Sequence, residues 1–225
     1  MRNYLMAGAV VALAGMAQAD TVAYWDFNDQ GLGDGTFGFQ VSDFPYEADM
    51  GAGQFTIQNF NDADTGGVYN WVQSFAGTTS GALDGVSGGS FAFQGATTQN
   101  VTNNGAMAVF SFDGTLWMDL DFQFARRGTS TGFNNVTVEM FDGSTSLGVL
   151  ATLGAADSSW DLEMYDLSAL DGVADASVVF TFDGASSDTG NNRLDNVLVS
   201  GTVVPAPGAL ALLGLGGLVG ARRRR

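Results

Sequence analysis

The chain has 225 residues, with 24 acidic side chains against eight arginines and no lysine, histidine or cysteine. Lacking Cys and His, it has no thiol catalysis, no Ser-His-Asp triad and no typical zinc or copper site, and its fold must stand on its core without disulfides. All the acidic residues lie between Asp20 and Asp195, opposed there only by Arg126, Arg127 and Arg193; this formal charge of −21 repels phosphate backbones and argues against nucleic acid as a partner.

Residues 1–19 read as a secretory signal. Arg2 supplies the positive start, the stretch from Leu5 to Met16 is apolar, and Ala17-Gln18-Ala19 is a small-x-small site for signal peptidase ahead of Asp20. The apolar run is shorter than the roughly 20 residues a span needs. Export followed by cleavage is expected.

Residues 20–204 read as one β domain. Period-2 alternation marks strands at 21–28, 54–60, 90–94, 107–113, 116–124, 135–142, 146–153, 159–167, 176–183 and 193–203. Turn signals such as Asp34-Gly35, Asp113-Gly114, Asp142-Gly143 and Asp183-Gly184 separate them. The stretch from Gly31 to Gly89 is glycine-rich and weakly patterned, and predicts long loops with few strands. A single helical turn is expected near Leu167–Leu170. Many short strands with Gly/Asn/Ser turns predict an all-β antiparallel sandwich or jelly roll.

In the clearest strand, Leu116, Met118, Leu120, Phe122 and Phe124 are expected on one face, with Trp117, Asp119, Asp121 and Gln123 on the other. By that pattern Trp117 is the exposed tryptophan, a candidate stacking surface for a sugar ring. Trp25 and Trp160 sit at core-like positions, and Trp71 falls in the loop-rich region. Arg126 and Arg127 are the concentrated positive charge of the body and could meet an acidic sugar, or else neutralise nearby aspartates.

Asp195 sits near the start of the last strand, where either choice of core face turns a polar Asp or Asn inward. A buried carboxylate needs a partner. A structural calcium shared with Asp26 of the first strand is one solution; an ion pair with Arg126 or Arg127, or capping of backbone amides, is the other. The stretch from Asp62 to Gln73 fails as a calcium loop, with Gly66 and Gln73 where acidic ligands are needed, and reads as a polar turn. Three glutamates, Glu47, Glu139 and Glu163, lie in no context that marks an acid or a nucleophile, so no catalytic residue is assigned.

The last segment, 205–225, changes character. Pro205-Ala206-Pro207-Gly208 is followed by an apolar run from Ala209 to Ala221 and then by Arg222, Arg223, Arg224 and Arg225. As a helix the run reaches about 20 Å, short of a hydrocarbon core of about 30 Å. The arginines would hold its end on the cytoplasmic side.

This arrangement resembles the PEP-CTERM sorting signal of Gram-negative bacteria. Ala206 stands where that signal usually carries Glu. The resemblance implies transient inner-membrane association, processing by an exosortase-type enzyme, and a final place at the cell surface or outside the cell. The body, through Arg126 to Phe133, Asp142-Gly143, Asp166-Leu167-Ser168, Asp183-Gly184 and Gly190 to Asn196, resembles jelly-roll, galactose-binding-like regions. That second resemblance implies that a structural calcium can lie where first and last strands meet. Taken together, a non-catalytic surface or matrix protein is expected. The alternatives are a calcium-assisted carbohydrate-binding module touching surface polysaccharide, and a glycoside hydrolase or lyase.

Overall fold

The computed structural model describes residues 19–28, 38–61, 68–96 and 102–205. Most of the signal with Ala17, the 62–67 turn, and the tail from Ala206 through Pro207 to Arg222–Arg225 lie outside them. Ala19 and Pro205 are exposed at the borders.

Among the described residues fourteen strands follow one another: β1 (Asp20–Trp25), β2 (Gly38–Gln40), β3 (Tyr46–Glu47), β4 (Met50–Gly51), β5 (Gly53–Gln58), β6 (Val68–Ala76), β7 (Gly89–Gln94), β8 (Ala106–Phe112), β9 (Trp117–Gly128), β10 (Asn135–Asp142), β11 (Thr145–Gly154), β12 (Asp161–Asp166), β13 (Ala176–Asp183) and β14 (Asn191–Val203). All ten expected strands are present. Among the described residues helix is confined to 3-10 turns at Val41–Asp43 and Ser168–Leu170, and none is long and apolar enough to cross a membrane.

The strands form two antiparallel sheets. One runs β12-β9-β14-β7-β6-β2, with β1 and β4 alongside; the other runs β11-β10-β13-β8-β5-β3. The long strand β14 organises the first sheet. Along one side it pairs with β9; along the other its first residues pair with β7 and its later ones with β1.

Between the sheets lies a core built mainly of phenylalanine. Phe110 stacks on Phe55 at 4.6 Å between ring centres and meets the edge of Trp25 at 5.1 Å. Phe124 and Phe180 meet edge-on across the sheets at 5.0 Å. Such pairs add roughly 0.5–1.5 kcal/mol each beyond burial. Trp25 is fully buried, as its pattern predicted.

One departure from the expected pattern comes from a bulge. In β9, Asp119 takes a positive φ of 53° and an extra residue opposes β14 between Ser200 and Thr202. The Asp171 carboxylate holds this kink by accepting the amides of Asp119 (3.0 Å) and Leu120 (3.1 Å). Alternation therefore changes phase: Leu120, Phe122 and Phe124 are buried, but Trp117 turns toward the core and Leu116 is 66% exposed. The region expected to be mostly loop also contains β6, a nine-residue strand whose pattern is masked by Asn70, Gln73 and Ser74.

Replacing Asp171 by Ala strands both bulge amides. The expected cost is about 1–2 kcal/mol, read as a lower urea midpoint together with a red-shifted Trp117 emission; an unchanged midpoint would show that the kink holds without it.

Candidate functional site

The pairing registers place four side chains in one row on the outer face of the first sheet. Gln73 of β6 faces Ala92 of β7, Ala92 faces Arg193 of β14, and Arg193 faces Arg127 of β9. The core side of these strands is fixed by Val72, Phe93, Leu194 and Phe124, which are buried and out of phase with the row. Trp160, just before β12, closes the row: the Arg127 guanidinium lies 5.7 Å from its ring centre. At the other end the Arg193 guanidinium lies 4.3 Å from the Phe75 ring. From β6 to β12 there are four strand spacings of roughly 4.8 Å, a floor of about 19 Å.

Phe75 and Trp160 lie beside planar, multiply bonding groups, the Gln73 amide and two guanidiniums, with Ala92 fully buried beneath them. Arg193 donates from Nε to Asn191 Oδ1 at 3.3 Å, which helps to fix its plane. Its pKa is held down to about 10, first by burial and then by the neighbouring Arg127 charge.

Loop 77–88 forms a wall on one side of the row. It packs on the second bulge, in β14, where Asn196 has φ 49° and the register with β9 shifts between Asp195 and Leu198. The bulge sends both Asp195 and Asn196 under the loop, so the polar pair avoids the space between the sheets that strict alternation predicted. Asp195 accepts the Thr78 amide at 2.6 Å and the Asn196 amide at 2.8 Å. Asn196 donates to the carbonyls of Thr78 and Ser80 and accepts from the Tyr24 hydroxyl at 2.7 Å. Gly77 is required here, because a Cβ would overlap the Asp195 carboxylate and the carbonyls of Ser87 and Gly89. Further along, Gln123 donates to the Gly81 carbonyl at 3.4 Å, tying the loop to β9.

The residues singled out from sequence are placed as follows. Asp195 is 1% exposed, with its carboxylate held by the two amides named above. Asp26 accepts the Asn28 amide at 2.8 Å and reaches Asp195 only as a neighbouring charge. Among the described residues no group of three or more Asp or Glu side chains comes together. Trp117 is half-buried beside Val22, Ala52 and Leu116, away from the arginine row. Being adjacent in a strand, Arg126 and Arg127 point to opposite faces. Arg126 turns to the core side, donating to Glu163 Oε1 at 2.8 Å and to the Gly154 carbonyl at 3.2 Å. Glu139 bonds the Ser146 hydroxyl on the second sheet, whereas Glu163 is on the first. Arg193, Gln73 and Phe75 carried no signal in the sequence, because only the register brings them beside Arg127.

No family model matches the sequence, and no curated protein matches it. Among solved structures, the chain is similar to the K3 cleaved adhesin domain of Lys-gingipain from Porphyromonas gingivalis, at 13% identity over 81% of this chain and 99% of that one, with a TM-score of 0.47. It is also similar to the CBM22-1 xylan-binding domain of Xyn10C from Paenibacillus barcinonensis, at 14% identity over 84% and 99%, with a TM-score of 0.46.

Burial, aided by the charges of Asp26 and Asp84, pushes the Asp195 pKa up to about 8. The folded state thus holds this proton more tightly than the unfolded chain, whose carboxylate titrates near 4. Its contribution to stability is complete below about pH 4 and is lost as pH rises through 8. The melting midpoint of the natural chain should therefore fall relative to Asp195→Asn between pH 5 and 8.5. Parallel curves would contradict this burial. Calcium sharing the carboxylate would raise the pH 8 midpoint above that in chelator, whereas the amide network alone predicts equal midpoints.

Proposed function

We propose that this chain is an exported surface protein whose β domain is a non-catalytic carbohydrate-binding module, with the glycan lying across β6, β7, β14, β9 and β12. The observation that carries the reading is the row Gln73, Ala92, Arg193, Arg127, flanked by Phe75 and Trp160 on the outer face of one sheet, where every member but Ala92 is partly exposed. Stacking faces next to planar hydrogen-bonding groups suit ring hydroxyls, and the loop 77–88 wall gives the floor a side.

The ends of the domain fit a tethered protein. Asp20 pairs with Gly201, so both termini leave from the same end of the sandwich. Arg193 lies ten residues up β14 from Val203, about 33 Å at a strand rise of roughly 3.3 Å. A segment held at the membrane by its C-terminal tail would present the row outward, toward surface polysaccharide. Signal peptidase acting after Ala19 and an exosortase-type enzyme acting at 205–225 complete this reading from the sequence signals; they predict that the mature surface protein lacks the peptide Arg222–Arg225 by intact mass.

Binding is measured by affinity electrophoresis of the full chain in gels holding xylan, galactan or polygalacturonate. At least one polymer should retard it. Trp160→Ala and Gln73→Ala should weaken retardation about tenfold, or roughly 1.4 kcal/mol, with melting unchanged, and Trp117→Ala should leave it intact. Loss with Trp117→Ala alone would move the site to the other end of the domain.

A further inference from the structure

We infer that the glycan taken by this face is anionic, with its carboxylate or sulfate groups held by the Arg127 and Arg193 guanidiniums. The inference rests on the carbohydrate-binding reading above and adds the ligand's charge.

Like charges set directly opposite each other on neighbouring strands destabilise a sheet. Arg193 and Arg127 are such a pair. In a body with 24 acidic residues and three arginines, the ordinary remedy is a carboxylate beside each cation. Arg126 has that remedy in Glu163, and this is the ion pair found among the described residues. Arg127 and Arg193 are given aromatic rings instead, Trp160 and Phe75. Cation–π contacts hold a guanidinium by its face and leave N–H donors at its edge, of which the Arg193 Nε is used by Asn191. The two guanidiniums lean toward opposite ends of the row yet share one floor walled by loop 77–88, a positively charged stretch that suits oxyanions.

Asp195, two residues from Arg193 on the same side of β14, is taken up by the Thr78 and Asn196 amides. Asp121, on the same face of β9, is six residues from Arg127, about 20 Å along the strand at roughly 3.3 Å per residue. Asp161 lies on the opposite phase of β12, in step with Glu163. Burial and, after it, the Arg127 charge lower the Arg193 pKa; a bound anion would offset the second of these. Elsewhere the acidic surface repels the same polymer, so attraction is confined to this face.

The test compares polymers that share a backbone and differ in charge: polygalacturonate against its methyl-esterified form, and dextran sulfate against dextran. Titration of the full chain by calorimetry should show binding to polygalacturonate, dextran sulfate or both, at least tenfold tighter than to the neutral counterpart. The polymer preferred tells carboxylate from sulfate. Arg127→Gln and Arg193→Gln should each weaken that binding at least tenfold at unchanged melting midpoint, with Arg126→Gln as the charge-matched control that retains it. Equal affinity for charged and neutral forms, or anion binding that survives the Arg127/Arg193 double variant, overturns the inference and leaves the carbohydrate reading standing. Binding to none of the charged or neutral polymers, including xylan and galactan, overturns both.

Discussion

The pairing of β14 with β9 is the constraint on which the face depends. It sets Arg193 opposite Arg127, aligns both with Ala92 and Gln73 through β7, and places the 195–196 bulge where loop 77–88 can close over it. A slip of one residue would turn Leu194, Val197 and Val199 outward and drive Arg193 between the sheets. The phenylalanine core forbids that slip, since Phe93, Phe122 and Phe180 pack against those same β14 positions' side of the sheet. Site and core are therefore two consequences of one register.

The bulges show how local irregularity builds this surface. Each inserts one residue into a strand and changes which side chains face out. In β9 the change carries Trp117 toward the core; in β14 it lets Asp195 and Asn196 serve the wall rather than burden the core. A buried carboxylate is costly. Two backbone amides offset part of that cost, and the remainder appears in the raised pKa of Asp195 and in the Tyr24 hydroxyl, pushed up to about 12 chiefly by burial.

Much of the fold was legible because strand alternation is a property of single segments. The ten strands, the turn at Ser168–Leu170 and the two-sheet antiparallel class follow from period and turn residues alone. The site was legible only in fragments. Arg127 stood out by charge, but adjacency with Arg126 concealed that the two serve opposite faces. Trp160 reads as core because Leu162 and Met164 share its phase, yet β12 turns that face outward, leaving Leu162 and Met164 exposed and Trp160 against Arg127, while Tyr165 of the other phase stacks on Phe124. Trp117 was assigned to the surface because a bulge at Asp119 leaves no mark in a hydrophobic pattern. Arg193, Gln73 and Phe75 become neighbours of Arg127 only through pairing across four strands, which no one-dimensional pattern encodes.

The most direct measurement is an NMR titration of the arginine Nε–H resonances of the full chain with an oligogalacturonate, in a protein where the body contributes only three such signals. The account predicts that Arg127 and Arg193 shift together with one saturation curve while Arg126, tied to Glu163 on the core side, stays in place. Shifts confined to Arg126, or to amides around Trp117 with the two facing arginines unmoved, would contradict it.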